Sequence, residues 1–173
     1  MSAAEEDIPK RGPILEYPDP RLLMVCEPVL VAELWNVYET STRDQIGKLF
    51  DDMWAQLELY MGYGLAAPQL GSPCRAIIVH VPGGHKIELV NPVIVKAWGG
   101  KFLSDEGCLS WPGKRLKVMR HRQVKVKGYD RLGMPVGVSG RNVQAAALQH
   151  EIQHLDGINL ADHARDRQAD SKG

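Results

Sequence analysis

Ala145-Ala146-Ala147-Leu148-Gln149-His150-Glu151-Ile152-Gln153-His154-Leu155-Asp156-Gly157 is the stretch that decides how this chain is read. Its alanines and leucine are strong helix formers. The pattern predicts a helix from about residue 142 to 155, with Gly157 just past its end. On such a helix, histidines four apart project from one side, so His150 and His154 can both reach one ion. Glu151 can point across that ion toward a water and take its proton. The segment therefore has the HExxH pattern of a metal-dependent hydrolase, placed on the helix that the chemistry requires.

A catalytic site of this kind needs a third protein ligand. The tail after His154 contains no glutamate, so a glutamate on a later helix is excluded. The longer pattern HExxHxxGxxH is nearly met by Gly157, but its last position is Leu160, which cannot ligate. His163 falls beyond that position and past the expected helix end. The third ligand is therefore sought upstream. Cys108, in Ser104-Asp105-Glu106-Gly107-Cys108-Leu109-Ser110, sits in a turn-like segment with a glycine beside the thiol. Cys26 and Cys74 have no comparable surroundings.

Outside the motif, the bulk properties narrow the function classes. The chain has 173 residues, enough for one domain, and 44% of them are hydrophobic. Its formal net charge is zero. That balance, with no nucleic-acid motif, gives no sign of a direct nucleic-acid binder. Basic residues do gather between Lys114 and Lys127, and they read as a solvated strand face. Three cysteines cannot all pair within one chain. The acidic N-terminus is not a signal peptide, and no apolar run has membrane-spanning length. A reducing compartment follows as the default, leaving a thiolate available to a metal.

Residues 1–13 read as a disordered or extended arm, 14–165 as a single catalytic domain, and 166–173 as a disordered tail. The clearest other helix is expected over about residues 42–61. Ser41 is its candidate N-cap and Gly62 its left-handed stop. Ile46, Leu49, Phe50, Met53, Trp54, Leu57 and Met61 would line its core face. Strands are expected over residues 75–81, 87–95, 123–129 and 134–138. Two helices and several short strands imply an α+β domain with mostly antiparallel strands around the metal-binding helix.

Three motifs then occur in order. They are Gly62-Tyr63-Gly64-Leu65-Ala66-Ala67-Pro68-Gln69, Glu106-Gly107-Cys108-Leu109-Ser110, and Gln149-His150-Glu151-Ile152-Gln153-His154-Leu155-Asp156-Gly157. With Ile14-Leu15-Glu16-Tyr17-Pro18-Asp19-Pro20-Arg21-Leu22 near the start, they make nearly the whole chain resemble the peptide deformylases. The resemblance implies hydrolysis of the N-formyl group of formyl-methionine on newly made polypeptides. It implies Cys108, His150 and His154 as ligands of one ion and Glu151 as the acid/base. Gln69 and the backbone N–H of Leu109 would donate to the developing oxyanion. A peptide could add as a strand along Tyr63, Gly64 and Gly107. The donor set alone suits zinc, whereas the resemblance implies iron(II), with zinc, nickel or cobalt as substitutes.

Two departures stand out. Gln153 replaces a frequent aspartate, removing a charge that could pair with an arginine such as Arg120. Tyr63 replaces a β-branched aliphatic. The methionine pocket is placed on the face shared by Val143, Ala146, Ala147 and His150, with the stem of Arg115 closing its far side. N-formylmethionyl peptides are the expected partners, and the ribosome near the nascent-chain exit is the expected workplace. The expected location is the cytoplasm, an organelle or a phage-infected cell remaining open. Other readings are a small metallopeptidase and a non-enzymatic metal-binding or ribosome-associated module.

Overall fold

The computed structural model describes residues 14–35 and 41–164. The expected arm and tail lie outside these residues. Five strands form one antiparallel sheet in the order β1 (Gly64–Ala66), β2 (Ala76–Val79), β3 (Ile87–Cys108), β4 (Trp111–Tyr129), β5 (Pro135–Arg141). The helices are α1 (Val31–Trp35), α2 (Ser41–Tyr60) and α3 (Val143–Leu155). The architecture is the expected α+β.

The sheet has two unequal parts. Near β2, both faces are covered, which is why Ala76-Ile77-Ile78-Val79 is apolar throughout and wholly buried. Ile77 and Val79 join Leu89, Val124 and Val126 beneath Ala145, Leu148 and Leu155 of α3. Ala76 and Ile78 face Ile46, Phe50, Met53 and Leu57 of α2. Beyond this double layer, β3 and β4 run on as a long hairpin, with register shifts at 90/93, 94/96, 98/101 and 107/108. Alternation governs β4: Val118, Arg120, Val124 and Val126 are buried, while Lys117, Met119, Lys125 and Lys127 are exposed.

Several expected boundaries shift. Residues 104–108 are not a turn but the end of β3, and the chain turns at Leu109 and Ser110. The α2 helix already includes Ser41, which is therefore not an N-cap outside it. At its far end the left-handed residue is Met61 (φ 51), not Gly62. Met61 consequently leaves the helical stripe and is 86% exposed. Gly62 is required for space instead: a Cβ there would lie 2.8 Å from Leu57 Cδ1 and 3.1 Å from Leu109 Cδ1.

The α3 helix is held at both ends. Gln149 bonds to the backbone of His121 in β4 through both its amide oxygen and nitrogen, at 3.0 Å each. Gly140 in β5 lets the helix close in, since a Cβ would meet Leu148 Cδ1 at 2.8 Å. Leu148 and Leu155 are fully buried, each stabilising the fold by about 1.5–3 kcal/mol. Arg75 donates to Leu155 O at 3.1 Å and Asp156 Oδ1 at 2.8 Å, satisfying a terminal carbonyl. Past the end, Gly157 has φ 73, and a Cβ would lie 2.7 Å from Leu23 O.

Gly157→Ala should therefore combine left-handed strain with a backbone collision and cost about 2–4 kcal/mol. Gly83 has a similar φ of 79 but nothing within 4 Å. Gly83→Ala should cost only the strain, about 1–2 kcal/mol. Thermal melts check this: an equal drop in Tm for both variants would show that the collision at Gly157 carries no weight.

Candidate metal centre

Two elements far apart in sequence converge here. The end of β3 presents Cys108, and α3 presents His150 and His154. One ligand atom from each residue lies within 4.8 Å of the others. Cys108 Sγ is 3.2 Å from His154 Nε2, and the imidazole centroids are 5.0 Å apart. Both histidines are buried and Cys108 is partly so. His163 is held elsewhere, with Nε2 3.0 Å from Gln153 Oε1. Leu160 is buried, only 2% exposed.

The orientation of His150 comes from Glu106. Residues 106 and 108 are two apart on one strand and share a face, so Glu106 sits under the histidines. Arg120 from β4 donates to Glu106 Oε1 at 2.8 Å through Nε and to Oε2 at 2.7 Å through a terminal nitrogen. His150 Nδ1 reaches Glu106 Oε2 at 3.0 Å. Burial pushes the Glu106 carboxyl up, but hydrogen bonds from Arg120 and His150 outweigh it and bring it to about 2. An ionised Glu106 accepts Nδ1–H from His150 and leaves the Nε2 lone pair available to a metal.

The Gln153 departure proves to be accommodated. Arg120 donates to Gln153 Oε1 at 2.7 Å, using the nitrogen not bound to Glu106. The amide thus holds the arginine by a neutral acceptor, while Glu106 supplies the full counter-charge. Glu106 was not among the residues singled out as site candidates. Its position in β3, with a buried face shared with the cysteine, is the signal that identifies it.

Glu151 is 5% exposed, and its Oε2 has no hydrogen-bond partner. Burial pushes its carboxyl up to about 7, against the pull of His150, a value at which a carboxyl can both accept and release a proton near neutral pH. Gly64 makes room for it: a Cβ there would stand 2.5 Å from Glu151 Oε1. For His154, burial comes first and the nearby His150 second in lowering its pKa well below the ordinary value. A neutral ring is the ligating form.

Gln69 is buried with its amide aimed at the cysteine. Its Oε1 accepts Ala66 N–H at 2.8 Å, so its Nε2 is turned to Ser110 Oγ at 3.1 Å and Cys108 Sγ at 3.8 Å. Leu109 packs partly buried against the α2-side core. Arg115 pairs across the hairpin with Gly107 and bonds Asp105 Oδ2 at 3.2 Å and Asp105 O at 3.0 Å. Tyr63 is 49% exposed beside Gly64. On α3, Val143 is 52% exposed, Ala146 is 4% exposed, and Ala147 packs against the core below the helix.

The donor set fits one divalent ion. Two imidazoles and a thiolate leave a further coordination position, and the unpartnered Glu151 oxygen is available to a group held there. Among the described residues this is the one cluster of three such donors.

Comparison with known proteins agrees with this geometry. The polypeptide deformylase family profile matches residues 12–170. The peptide deformylase of Heliobacterium modesticaldum is 40% identical over 149 residues, covering 86% of this chain and 91% of that protein. That of Carboxydothermus hydrogenoformans is 38% identical over 151 residues, covering 87% and 91%. A ligand-bound class I type b peptide deformylase from Acinetobacter baumannii superposes with TM-score 0.79 at 33% identity, covering 87% and 97%. The same Acinetobacter enzyme with Met-Ala-Ser bound gives 0.77 at 32%, again covering 87% and 97%. With a profile and relatives that span nearly its whole length, the chain belongs to the polypeptide deformylase family.

Proposed function

We propose that Cys108, His150 and His154 hold one divalent ion and that Glu151 moves the proton beside it. The chain is a peptide deformylase, hydrolysing the N-formyl amide of formyl-methionine on newly made polypeptides to formate and a free amine. The observation that carries the residue assignment is the convergence of three donors within 4.8 Å beside a buried, unpartnered Glu151 oxygen. The ion, when bound, supplies a Lewis acid that lowers the pKa of water and polarises the formyl carbonyl.

The side chains do the rest. Glu151 accepts the proton of the attacking water as its oxygen adds to the formyl carbon. It returns that proton to the amine nitrogen as the C–N bond breaks. Gln69 Nε2, oriented by the Ala66 N–H, and the Leu109 backbone N–H donate to the oxygen that gains charge. The peptide lies against Tyr63, Gly64 and Gly107. An added strand has room there because β1 is an edge of the sheet. Val143, Ala146, Ala147 and the Arg115 stem surround the methionine side chain, whose flexible thioether fills irregular apolar space. Residues 14–165 act as one catalytic domain.

Iron(II) is the resident ion in this reading, with zinc, nickel or cobalt able to replace it. The work takes place in the cytoplasm, close to the ribosome's nascent-chain exit. Among the described residues no helix is long and apolar enough to cross a membrane.

Glu151→Gln tests the mechanism. It should keep its metal and lose about two to four powers of ten in turnover of a formyl-Met peptide. Activity within tenfold of the parent would remove Glu151 from the proton transfers. Glu106→Gln should leave Arg120 buried without its counter-charge and loosen His150, weakening metal affinity by about 10–100-fold in a chelator competition. His163→Ala should leave that affinity unchanged, and the reverse order would break the ligand assignment. The iron(II) form should lose activity in air, where both thiolate and ion are targets, while a nickel form should keep it. An iron form that stays active for hours in air would argue against iron as the resident ion.

A further inference from the structure

The outward side of the hairpin sheet is charged in a way that folding does not explain. Across residues 93–129 and Pro135–Arg141, both faces together, lysine and arginine outnumber aspartate and glutamate ten to two, Arg120 being one of the ten that faces inward, although the chain as a whole is neutral. The two acids are both engaged. Glu106 faces inward to Arg120, and Asp105 is held by Arg115. Acidic side chains gather instead on α2, as Asp44, Asp51, Asp52 and Glu58.

Strand alternation shows which side chains share the outer face. Val124 and Val126 are buried beneath α3, so Gln123, Lys125 and Lys127 point the other way. Their cross-strand partners follow: Trp98 opposite Gln123, Lys96 opposite Lys125, and Arg141 on β5 opposite Gln123. Lys101 stands opposite His121. All of these lysines and Arg141 are exposed.

Lys96 directly opposite Lys125 is the telling feature. Like charges in that position destabilise a sheet. The neighbouring Lys127 adds a third cation about 7 Å along the strand. A face that only needed to be wet would mix charges. Lys96 Nζ also lies 5.3 Å from the Trp98 ring centroid, so an aromatic plane sits within the cationic field. A sheet face with cations at strand spacing and an indole among them combines the two elements of RNA binding, phosphate neutralisation and base stacking. An anionic membrane is the weaker match. Val93 and the facing pair Leu103 and Met119 are exposed, but lysines separate them and they form no continuous apolar stripe.

We propose that the outward face of β3, β4 and β5, where Lys96, Lys101, Lys125, Lys127 and Arg141 surround Trp98, docks RNA through its phosphate backbone. This surface lies opposite α3, and its use is separate from hydrolysis at the metal. A protein whose substrates are nascent chains would gain residence on an RNA-rich surface without committing its catalytic cleft.

The test uses the metal-loaded full chain, a short labelled RNA hairpin of mixed sequence, and anisotropy titrations between about 50 and 200 mM salt. Lys125→Glu is compared with Lys48→Glu on α2, an equal change in net charge at an exposed site. Lys125→Glu should weaken RNA binding at least fivefold and reduce the salt slope by about one phosphate contact. Its melting temperature should not fall, because an opposite charge now faces Lys96, and kcat/KM on a formyl-Met peptide should be unchanged. Lys48→Glu should bind RNA within twofold of the parent. Absence of salt-dependent RNA binding by the parent would overturn the proposal, as would equal losses in the two variants. Capture by phosphatidylserine vesicles that exceeds RNA binding and is lost in Lys125→Glu would overturn it in favour of a membrane.

Discussion

The Glu106–Arg120 ion pair is the interaction on which the centre depends. It joins β3 to β4 and, through His150 and Gln153, ties both strands to α3. Cys108 and His154 are 46 residues apart in sequence, so local structure cannot bring them together. A buried pair of this kind is a poor net stabiliser, since desolvating both charges offsets much of their attraction. Its value here is directional. A bidentate guanidinium fixes the carboxylate plane, and the fixed carboxylate decides which imidazole nitrogen carries hydrogen. Removing one partner would leave the other buried and uncompensated, at a cost of about 3–5 kcal/mol.

Close backbone approach is the second requirement, and it explains which glycines matter chemically. Gly64 abuts the Glu151 carboxylate and Gly140 abuts α3. The first lets an edge strand lie directly against the Glu151 carboxylate, and the second lets β5 support the helix from below. Both act through missing volume, since neither has a positive φ. A side chain at Gly64 would push the Glu151 carboxylate away. Its exclusion is therefore a constraint on the site more than on stability.

The convergence of Cys108, His150 and His154 was legible because helical spacing and motif context refer to the same positions. HExxH on α3 defines a face directly, and Cys108 was the one cysteine in a suitable neighbourhood. The α2 stripe was legible for the same reason from Ile46 to Leu57. Met61 failed because the helix ends one residue earlier, and periodicity does not register a change of backbone conformation. The β3–β4 extension was less legible. The segment around Gly107 read as a turn, whereas it continues β3, and Gly99 and Gly100 sit at a register shift inside the hairpin that periodicity does not reveal. Arg120 was legible as a partner of position 153, and it does donate to Gln153, but its pairing with Glu106 was hidden for a related reason: charged residues read as solvent-facing until strand register shows that they meet across the hairpin, beneath the site.

The same register explains how one strand serves two surfaces. Along β4, Arg120 points inward to a carboxylate and an amide, while Lys125 and Lys127, on the opposite parity, point outward. A shift of one residue would bury the lysines and expose the guanidinium. Two constraints oppose that shift. Val124 and Val126 must fill the core under α3, and Gln149 grips the His121 backbone. The apolar packing therefore sets the parity, and the parity places Arg120 inward, where it holds Glu106 against His150, and Lys125 and Lys127 outward. Gln153 fits within this division. An amide at that site accepts Arg120 without adding a second negative charge, so among the described residues Glu106 remains the sole carboxylate hydrogen-bonded to the arginine.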